Sequence, residues 1–346
     1  MLPTLDPFDP LDIEKPTHLQ AYLTETRRIT PGETIEMRTL SGGVSNRTVW
    51  VRRENGEAWV IKQALAKLRV QVDWFSDPGR IHCEALGLEW LPKFTPPGTI
   101  PALVFEDLDH YILAMQAIPQ PHDNWKTLML AGTLNMDHVR QFGQILGSIH
   151  GGSSRARAQM QPIFADQTFF DTLRIEAYYR FTASQNPTIA DFYHTLIADM
   201  LANRESIVHG DYSPKNVLVH HGKLILLDHE VMHFGDPGFD IGFSMTHLLS
   251  KAHHLPALRT EFAQAARLYW ETYLASLGDV AWREALEERA VRHVMACLLA
   301  RVDGRSPLEY LSAAERTHQR RALLSLMGGP PPTRIPDLID AFIERL

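Results

Sequence analysis

Four side chains with hard oxygen atoms stand close together in one stretch of the chain: Asp211, Asn216, Asp228 and Glu230. The first two precede a pair of short apolar runs separated by a polar turn, a pattern that predicts a β-hairpin. The other two directly follow the second run. Because a hairpin returns the chain to the edge where it began, we expect the four side chains to gather at one edge. Carboxylate and amide oxygens are the ligands that Mg²⁺ prefers.

The spacing of these residues indicates phosphoryl transfer. In the protein-kinase pattern, a catalytic Asp precedes a metal-binding Asn by five positions, and a second metal-binding Asp follows a short hairpin. Asp211 and Asn216 keep that interval, and Asp228 takes the place after the hairpin. The sequence therefore predicts Asp211 as the carboxylate that accepts the proton of an attacking hydroxyl. Asn216, Asp228 and Glu230 are the predicted ligands of Mg²⁺.

The motifs themselves depart from those of protein kinases. His-Gly-Asp stands in place of His-Arg-Asp, and Asp-His-Glu in place of Asp-Phe-Gly. The stretches HGDYSPKN, LLDHE and GDPGFDIGF resemble the aminoglycoside phosphotransferase and choline kinase superfamily of small-molecule kinases, with a metal motif like that of methylthioribose kinases. The resemblance implies an α+β, protein-kinase-like fold, with a β-rich N-lobe, a mainly helical C-lobe and the active site in the cleft. It also implies ATP or another nucleoside triphosphate, and Mg²⁺, as cofactors.

A Gly-rich turn in the N-terminal part of the chain suits the phosphates of that nucleotide. It lies between two segments with alternating apolar residues, and Asn55-Gly56 predicts a hairpin shortly after it. Glycines let backbone amides come close to an anion. The turn residues assigned to the nucleotide are Ser41, Gly42, Gly43, Ser45 and Asn46.

Lys62 lies on the strand after that hairpin, where kinases place the lysine that contacts the phosphates. Its expected partner is Glu84, one turn into a helix predicted over residues 78–91. Glu89 is an alternative partner. Arg80, four residues before Glu84, would instead form a surface pair with it.

The connector between the two lobes is predicted just after a strand over residues 111–116, where prolines interrupt the chain. In the resembled superfamily the backbone of this hinge binds adenine, which implies contacts from the Gln116 carbonyl and the Ile118 amide. We therefore expect a nucleotide-binding lobe over residues 1–117, with a loosely ordered Pro-rich arm over residues 1–16. The helical lobe over residues 118–346 would hold the catalytic loop and the acceptor site.

Apolar periodicity predicts helices throughout that second lobe. Asp137 is the expected N-cap of one of them, and Gly151-Gly152 its expected end. The helices are predicted over residues 137–150, 168–181, 189–205, 241–252, 260–277, 281–301, 313–327 and 338–346.

Three more residues complete the predicted site. Asp240 begins a helix after an Asp-Pro-Gly turn, as an N-cap would. The resemblance implies that Asp240 also bonds the catalytic loop from behind, near His209. Arg301 ends a long apolar helix in the region where methylthioribose kinases place arginines at the sugar, which implies a contact with the acceptor. The alternative is that Arg301 pairs with Asp303 at the helix end.

Composition bounds the partners. The 346 residues carry a net charge of −7, so no basic footprint for nucleic acid is visible. Two cysteines far apart in the sequence indicate reduced thiols rather than a disulfide framework. Without a secretory leader or an apolar run of membrane-spanning length, we expect a cytoplasmic protein with no membrane partner. The oligomeric state stays open.

Several functions remain open at this stage. The GDPGFD turn follows Glu230 almost at once, which leaves no platform for a polypeptide and favours a small hydroxyl acceptor, such as a sugar, nucleoside or amino alcohol. An aminoglycoside kinase is the alternative acceptor class. Aminoglycosides are polycations and need an acidic pocket, which the near balance of acidic and basic residues after residue 118 does not indicate. A non-catalytic, kinase-shaped nucleotide-binding protein and a metal-dependent hydrolase are alternatives of other classes, and the hydrolase leaves Lys62 unexplained.

Overall fold

The computed structural model describes residues 10–40, 43–69 and 73–346. The chain forms two compact units: Met1–Trp90 with Pro101–Pro119, and Leu91–Ile100 with Gln120–Leu346. Residues 91–100 thus belong to the second unit, although the boundary predicted from the sequence put them in the first. Two contacts within the second unit hold this segment. The Leu226 amide donates to the Thr99 carbonyl at 2.8 Å. The Phe94 ring packs on Gly152 so closely that a Cβ at position 152 would overlap the ring.

The first unit contains a five-stranded antiparallel sheet. Its strands are β1 (Ile35–Thr39), β2 (Asn46–Arg53), β3 (Ala58–Ala64), β4 (Leu103–Asp107) and β5 (Ile112–Gln116), in the order β1-β2-β3-β5-β4. The predicted hairpin joins β2 to β3. Gly56 has a φ of 88° in its turn, a left-handed conformation that glycine adopts without the steric penalty of a side chain. Val49 pairs with Ile61 across β2 and β3, and both are fully buried.

Helices α1 (Pro16–Glu25) and α2 (Arg80–Trp90) complete the first unit. The prediction of a loose arm over residues 1–16 is wrong for its last part. Ile13 is fully buried among the apolar side chains of α1 and the sheet. The Gln63 side chain fixes the same segment, because its amide nitrogen donates to the Leu11 carbonyl at 2.9 Å and its oxygen accepts from the Ile13 amide. Residues 1–9 lie outside the described part of the chain.

The second unit is mainly helical. Its helices are α3 (Trp125–Leu130), α4 (Met136–Arg155), α5 (Arg157–Ile163), α6 (Thr168–Phe170), α7 (Phe181–Gln185), α8 (Ala190–Ala202), α9 (Gly238–His254), α10 (Arg259–Leu277), α11 (Arg283–Asp303), α12 (Ala313–Met327) and α13 (Ile335–Ile343). A π-helical segment, Asp171–Arg180, joins α6 to α7 where the sequence predicted one α-helix. Five short strands form two small sheets: β6 (Asp123–Asn124), β8 (Val217–His220) and β9 (Lys223–Leu226) in one, β7 (Ser206–Val208) and β10 (His233–Gly235) in the other.

Helix α4 continues through Gly151-Gly152 to Arg155, five residues beyond its predicted last residue, His150. Three glycines of α4 lie so close to the backbone of α10 that a Cβ on any of them would overlap a carbonyl oxygen. A Cβ would lie 2.6 Å from the Tyr269 oxygen at Gly143 and 2.5 Å from the Tyr273 oxygen at Gly147. At Gly151 a Cβ would overlap the Leu277 oxygen. The glycines recur every fourth residue, so they form one face on which α10 packs backbone to backbone. The prediction was wrong because these glycines serve packing rather than termination. The helix also begins earlier, since Asn135 rather than Asp137 is its N-cap.

Neither cysteine forms a disulfide in the described part of the chain, where Cys297 is buried and Cys83 partly buried. Across residues 10–40, 43–69 and 73–346, no helix combines the length and the apolar character that a membrane crossing requires.

Candidate active site

The β8–β9 hairpin brings two predicted metal ligands to one end of the second unit's small sheet. Val217 pairs with Leu226, so Asn216 precedes the first residue of the ladder and Asp228 follows shortly after the last. The Leu227 amide donates to the Asn216 carbonyl at 2.9 Å, which closes the base of the hairpin. The gathering of Asn216 and Asp228 at one edge is therefore a consequence of antiparallel pairing.

Asp211 lies in a loop after β7 and is nearly buried, with 6% of its surface exposed. Its Oδ2 accepts a hydrogen bond from Asn216 Nδ2 at 2.7 Å and lies 3.3 Å from Lys215 Nζ. Its Oδ1 lies 3.1 Å from an Nη of Arg174. Three donors therefore fix the carboxylate in one orientation.

These neighbours also set the charge of Asp211. Burial alone would raise the pKa of its carboxyl group, but the positive charges of Arg174 and Lys215 outweigh burial and lower the pKa. The carboxylate is therefore ionised at neutral pH. An ionised, oriented carboxylate can accept a hydrogen bond from an alcohol and take its proton as the alcohol oxygen forms a new bond.

Arg174 is a candidate functional residue that the sequence motifs do not indicate. It lies on the π-helical segment, and its Nε donates to the Gly210 carbonyl at 2.6 Å while its guanidinium pairs with Asp211. Burial disfavours the charge of Arg174, but Asp211, Glu230 and Asp228 outweigh that effect and raise its pKa. One sequence signal was present: Arg174 falls between Leu173 and Ala177 in the apolar stripe of that segment.

Two histidines, His209 and His229, support the loop that carries Asp211. The Asp211 amide donates to His209 Nδ1 at 3.2 Å, so that nitrogen carries no proton. Burial lowers the pKa of His209, which keeps the ring neutral with its proton on Nε2. His209 Nε2 lies 3.1 Å from His229 Nδ1 and therefore donates to it. Hydrogen bonding thus fixes the tautomer of His209.

Asp240 bonds the same loop through its backbone. Its carboxylate accepts from the amides of His209 at 2.6 Å and Gly210 at 2.8 Å, and it contacts His150 Nε2 at 3.2 Å. Burial alone would raise the pKa of Asp240, but the hydrogen bond and charge of His150 lead the effects that lower it. The predicted N-cap role is wrong, because α9 begins two residues earlier, at Gly238.

Asn216, Asp228 and Glu230, the predicted ligands of Mg²⁺, offer oxygen donors of the kind that this ion prefers. Both hydrogen bonds of the Asn216 side chain use Nδ2, so its Oδ1 points away from Asp211. Asp228 has a φ of 69°, an unusual conformation for a residue with a side chain and one that clusters at functional sites. In the described ranges no three His, Cys, Asp or Glu side chains could hold a metal by themselves. Mg²⁺ suits such a site, since it is usually bound by one or two carboxylates together with substrate phosphates.

In the first unit, Lys62 and Glu84 form the predicted ion pair. Lys62 Nζ lies 2.6 Å from Glu84 Oε1, and Glu84 is fully buried. The alternative in which Arg80 pairs with Glu84 at the surface is wrong. Arg80 is fully buried and donates to backbone carbonyls, including those of Leu65 at 2.9 Å and Ser45.

The other predicted nucleotide contacts also lie in the first unit. Ser41 and Gly42 fall outside the described residues, and Gly43 is exposed. Ser45 and Asn46 are buried where β2 begins. Gln116 ends β5 with its amide donating to the Ala102 carbonyl at 2.8 Å, and Ile118 follows, partly buried. Their roles stay predictions.

Arg301 is buried near the end of α11, with 9% of its surface exposed. It donates to the Tyr178 hydroxyl at 2.7 Å and to the Ser306 carbonyl at 2.6 Å. The alternative of a pair with Asp303 is wrong, because Asp303 instead binds Arg320 at 2.7 Å.

Comparison with known proteins places the chain in a family. The profile of the phosphotransferase enzyme family APH matches residues 36–286, which is most of the chain. The chain therefore belongs to this family. A methylthioribose kinase of Pectobacterium atrosepticum is 24% identical over 250 residues, which cover 62% of each chain. One from Klebsiella pneumoniae is 26% identical over 264 residues, covering 68% of this chain and 66% of that protein. The chain thus spans less than two thirds of the length of these relatives.

Solved structures confirm the predicted protein-kinase-like α+β fold. Amicoumacin kinase hAmiN in complex with AMP-PNP, Ca²⁺ and Ami has a TM-score of 0.56 and 13% identity, covering 87% of this chain and 91% of that one. An ethanolamine kinase of Plasmodium vivax has a TM-score of 0.52 and 10% identity, covering 94% and 85% respectively.

Proposed function

We propose that this protein transfers the γ-phosphate of ATP, or of another nucleoside triphosphate, to a hydroxyl group of a small molecule. The observation that carries the proposal is the environment of Asp211: an ionised, nearly buried carboxylate held by Asn216, Arg174 and Lys215. Membership of a phosphotransferase family supports it. The relatives named methylthioribose kinase support a small molecule as the class of acceptor.

Each residue has a defined part in this reaction. The acceptor hydroxyl would donate a hydrogen bond to Asp211, and its proton would pass to that carboxylate as the oxygen bonds to phosphorus. The γ-phosphate leaves ADP in the same step, so the phosphate ester and ADP are the products. Because such transition states are loose, orientation of the hydroxyl matters more than the strength of the base. This agrees with the lowered pKa of Asp211.

The charge of the nucleotide needs separate compensation. Lys62, fixed by Glu84, would bind the phosphates. Asn216 and Asp228 would hold Mg²⁺, with Glu230 as a further ligand, and the ion supplies positive charge to the phosphate oxygens when bound. The Gly-rich turn at residues 41–46 and the hinge residues Gln116 and Ile118 would bind the rest of the nucleotide.

The test is acceptor-dependent release of ADP from MgATP by the wild-type protein, against a panel of sugars, nucleosides, amino alcohols and aminoglycosides. We expect at least one class of acceptor to raise ADP release well above the rate without acceptor, and chelation of Mg²⁺ to abolish it. The variant Lys62→Met should raise the KM for ATP. Release of ADP at the same rate with and without every acceptor would indicate a hydrolase. Binding of MgATP without ADP release would indicate a non-catalytic binding protein.

A further inference from the structure

Two buried basic side chains in the second unit have no carboxylate partner among the residues that the structure describes. Within the described ranges, the hydrogen bonds of Arg301 go to the hydroxyl of Tyr178 and to Ser306. Lys251, fully buried on α9, donates to the His247 carbonyl at 3.2 Å, and its ammonium lies 5.3 Å from the Tyr310 ring centroid. A buried charge without a counter-ion is costly, so proteins rarely keep one without a use for it.

His247, Lys251, Arg301 and Tyr310 form what we call the cationic cluster. Three of its buried polar atoms lack a hydrogen-bond partner in the described structure: Nε2 of His247, Nε of Arg301 and the hydroxyl of Tyr310. His247 is only 4% exposed, and Arg301 9%. Unsatisfied buried polar atoms of native proteins call for a missing ligand, ion or water.

The charges that surround the cationic cluster are also mostly positive. Burial, together with the charges of Lys126 and Arg301, lowers the pKa of Lys251 to about 7, and Glu309 opposes them. Glu309 itself is bound to Lys126. Burial also holds the pKa of His247 well below its usual value, with Arg301, Lys251, Lys215 and Lys126 adding to the effect. The cluster therefore has a surplus of positive charge that an anion would neutralise.

The aromatic rings of Tyr178 and Phe243 lie near both the cationic cluster and Arg174, the partner of Asp211. The guanidinium carbon of Arg301 lies 5.3 Å from the Tyr178 ring centroid and 5.7 Å from that of Phe243. Arg174, which pairs with Asp211, lies 5.8 Å from each of the same two rings. Phe243 also packs edge-on against His247. Arg174 and Arg301 thus lie near the same two rings, which places the cluster near Asp211.

We propose that the acceptor carries an oxyanion group, a carboxylate or a phosphate ester, which binds to Arg301, Lys251, His247 and Tyr310 while its hydroxyl faces Asp211. The inference rests on the proposed function, since it names the class of acceptor. It disfavours the aminoglycosides, which are polycations and would be repelled. The Arg301 guanidinium offers two-pronged hydrogen bonds to either oxyanion, and the Lys251 ammonium a point charge.

The experiment measures binding, not turnover, by calorimetric titration of the nucleotide-free protein at constant ionic strength. Its probes are four six-carbon molecules that differ in charge: glucose, glucosamine, gluconate and glucose 6-phosphate. We expect gluconate, glucose 6-phosphate or both to bind at least roughly 10-fold more tightly than glucose, and glucosamine to bind most weakly. The stronger of the two anions identifies the group. Equal binding of all four probes, or tightest binding of glucosamine, would overturn the proposal.

Variants assign the binding to the cluster. Arg301→Met and Lys251→Met should each remove most of the preference for the anionic probe over glucose. The matched control is Arg320→Met, an exposed arginine on α12 that pairs with Asp303 and should keep the preference. Should Arg301→Met fail to fold, Lys251→Met decides alone. An unchanged preference in the folded cluster variants would contradict the assignment.

Two outcomes separate this inference from the proposed function. Anionic probes that bind through the cluster while no acceptor is ever phosphorylated would leave the anion site standing and the kinase activity refuted. Phosphorylation of neutral or cationic acceptors, with no preferential binding of anions, would support the kinase activity and refute the anion site.

Discussion

At the scale of single residues, the candidate site depends on how Asp211 is held. Its sequence motif indicates the carboxylate and the metal ligands, because their spacing along the chain is fixed by a local hairpin. The motif does not indicate Arg174, since that side chain reaches Asp211 from a segment 37 positions earlier in the sequence. Contacts of this kind depend on tertiary packing, which a local motif does not report. The one sequence signal for the contact was that an arginine lies within an apolar stripe.

Arg174 should act as a positioning residue for Asp211. We expect Arg174→Met to lower kcat by about 10²-fold, because the carboxylate loses a fixed partner. Its loss should also raise the pKa of Asp211, so the acid limb of the pH–kcat profile should move to higher pH. Arg180→Met, on the same segment but paired with the exposed acids Asp171 and Glu176, is the control. A lowered kcat without any shift of the acid limb would show that Arg174 only supports the loop.

Lys251 should make stability depend on pH. Its pKa is about 7 in the folded protein and ~10.4 in an unfolded chain, so between these values the unfolded state binds a proton that the folded state lacks. The wild type should therefore gain stability relative to Lys251→Met as the pH rises from about 7 to about 10, and show no such trend below. The groups that act on Lys251 are Lys126, Arg301 and Glu309, beside the Tyr310 ring.

Melting temperatures of both proteins across this pH range test the point. Lys223→Met, at an exposed lysine on β9, should melt in parallel with the wild type at every pH. A constant difference between wild type and Lys251→Met would mean that Lys251 keeps its ordinary pKa.

At the scale of elements, the helices of the second unit were predictable from periodicity, but the role of the glycines in α4 was not. Gly151-Gly152 has the composition of a helix end, and a single sequence does not show that α10 packs against that face. The π-helical segment was equally hidden, because its sequence has ordinary helical periodicity. The predicted contact of Asp240 with the loop at His209 is confirmed, but the start of its helix was predicted three residues late.

The glycine face of α4 predicts a costly substitution. In Gly147→Ala the new methyl group would meet the Tyr273 carbonyl and the Ser276 Cβ, so α10 would have to move. Overpacking of this kind costs about 1–3 kcal/mol, more than the ~1 kcal/mol that alanine gains as a helix former. The free energy of unfolding from urea titration should fall, whereas Gln144→Ala on the exposed side of α4 should change it little. Unchanged stability in Gly147→Ala would refute the close packing.

Asp240 should contribute more than an ordinary acid in a first helical turn. Asp240→Ala leaves the amides of His209 and Gly210 without their acceptor, at a cost of roughly 3 kcal/mol or more, and it should lower turnover as well. Asp337 is the matched control, because it is also the third residue of its helix but is exposed. Asp337→Ala should cost only a few tenths of a kcal/mol. Equal melting temperatures of the two variants would show that the bonds of Asp240 add nothing.

At the scale of the whole molecule, the fold was predictable because two distant motifs agree. One motif is the strand that carries Lys62 after a Gly-rich turn, and the other is the loop with Asp211 and Asn216 before a hairpin. Both motifs are typical of the protein-kinase-like fold, and the family match confirms this prediction. Two features were beyond the sequence. Residues 91–100 join the second unit through tertiary contacts, and the cationic cluster is assembled from α9, α11 and the loop after α11.

In the proposed reaction, Asp211 takes the proton of the acceptor hydroxyl as that hydroxyl receives the γ-phosphate. The most direct measurement follows the label of γ-³²P-ATP into an acceptor, with wild type and Asp211→Asn compared side by side. Asparagine keeps the shape and can still bind Asn216, but it cannot accept the proton. We expect labelled acceptor from the wild type, a rate at least roughly 10²-fold lower from Asp211→Asn, and the same affinity of both proteins for MgATP. Labelling of the acceptor by Asp211→Asn at the wild-type rate would contradict this role of Asp211.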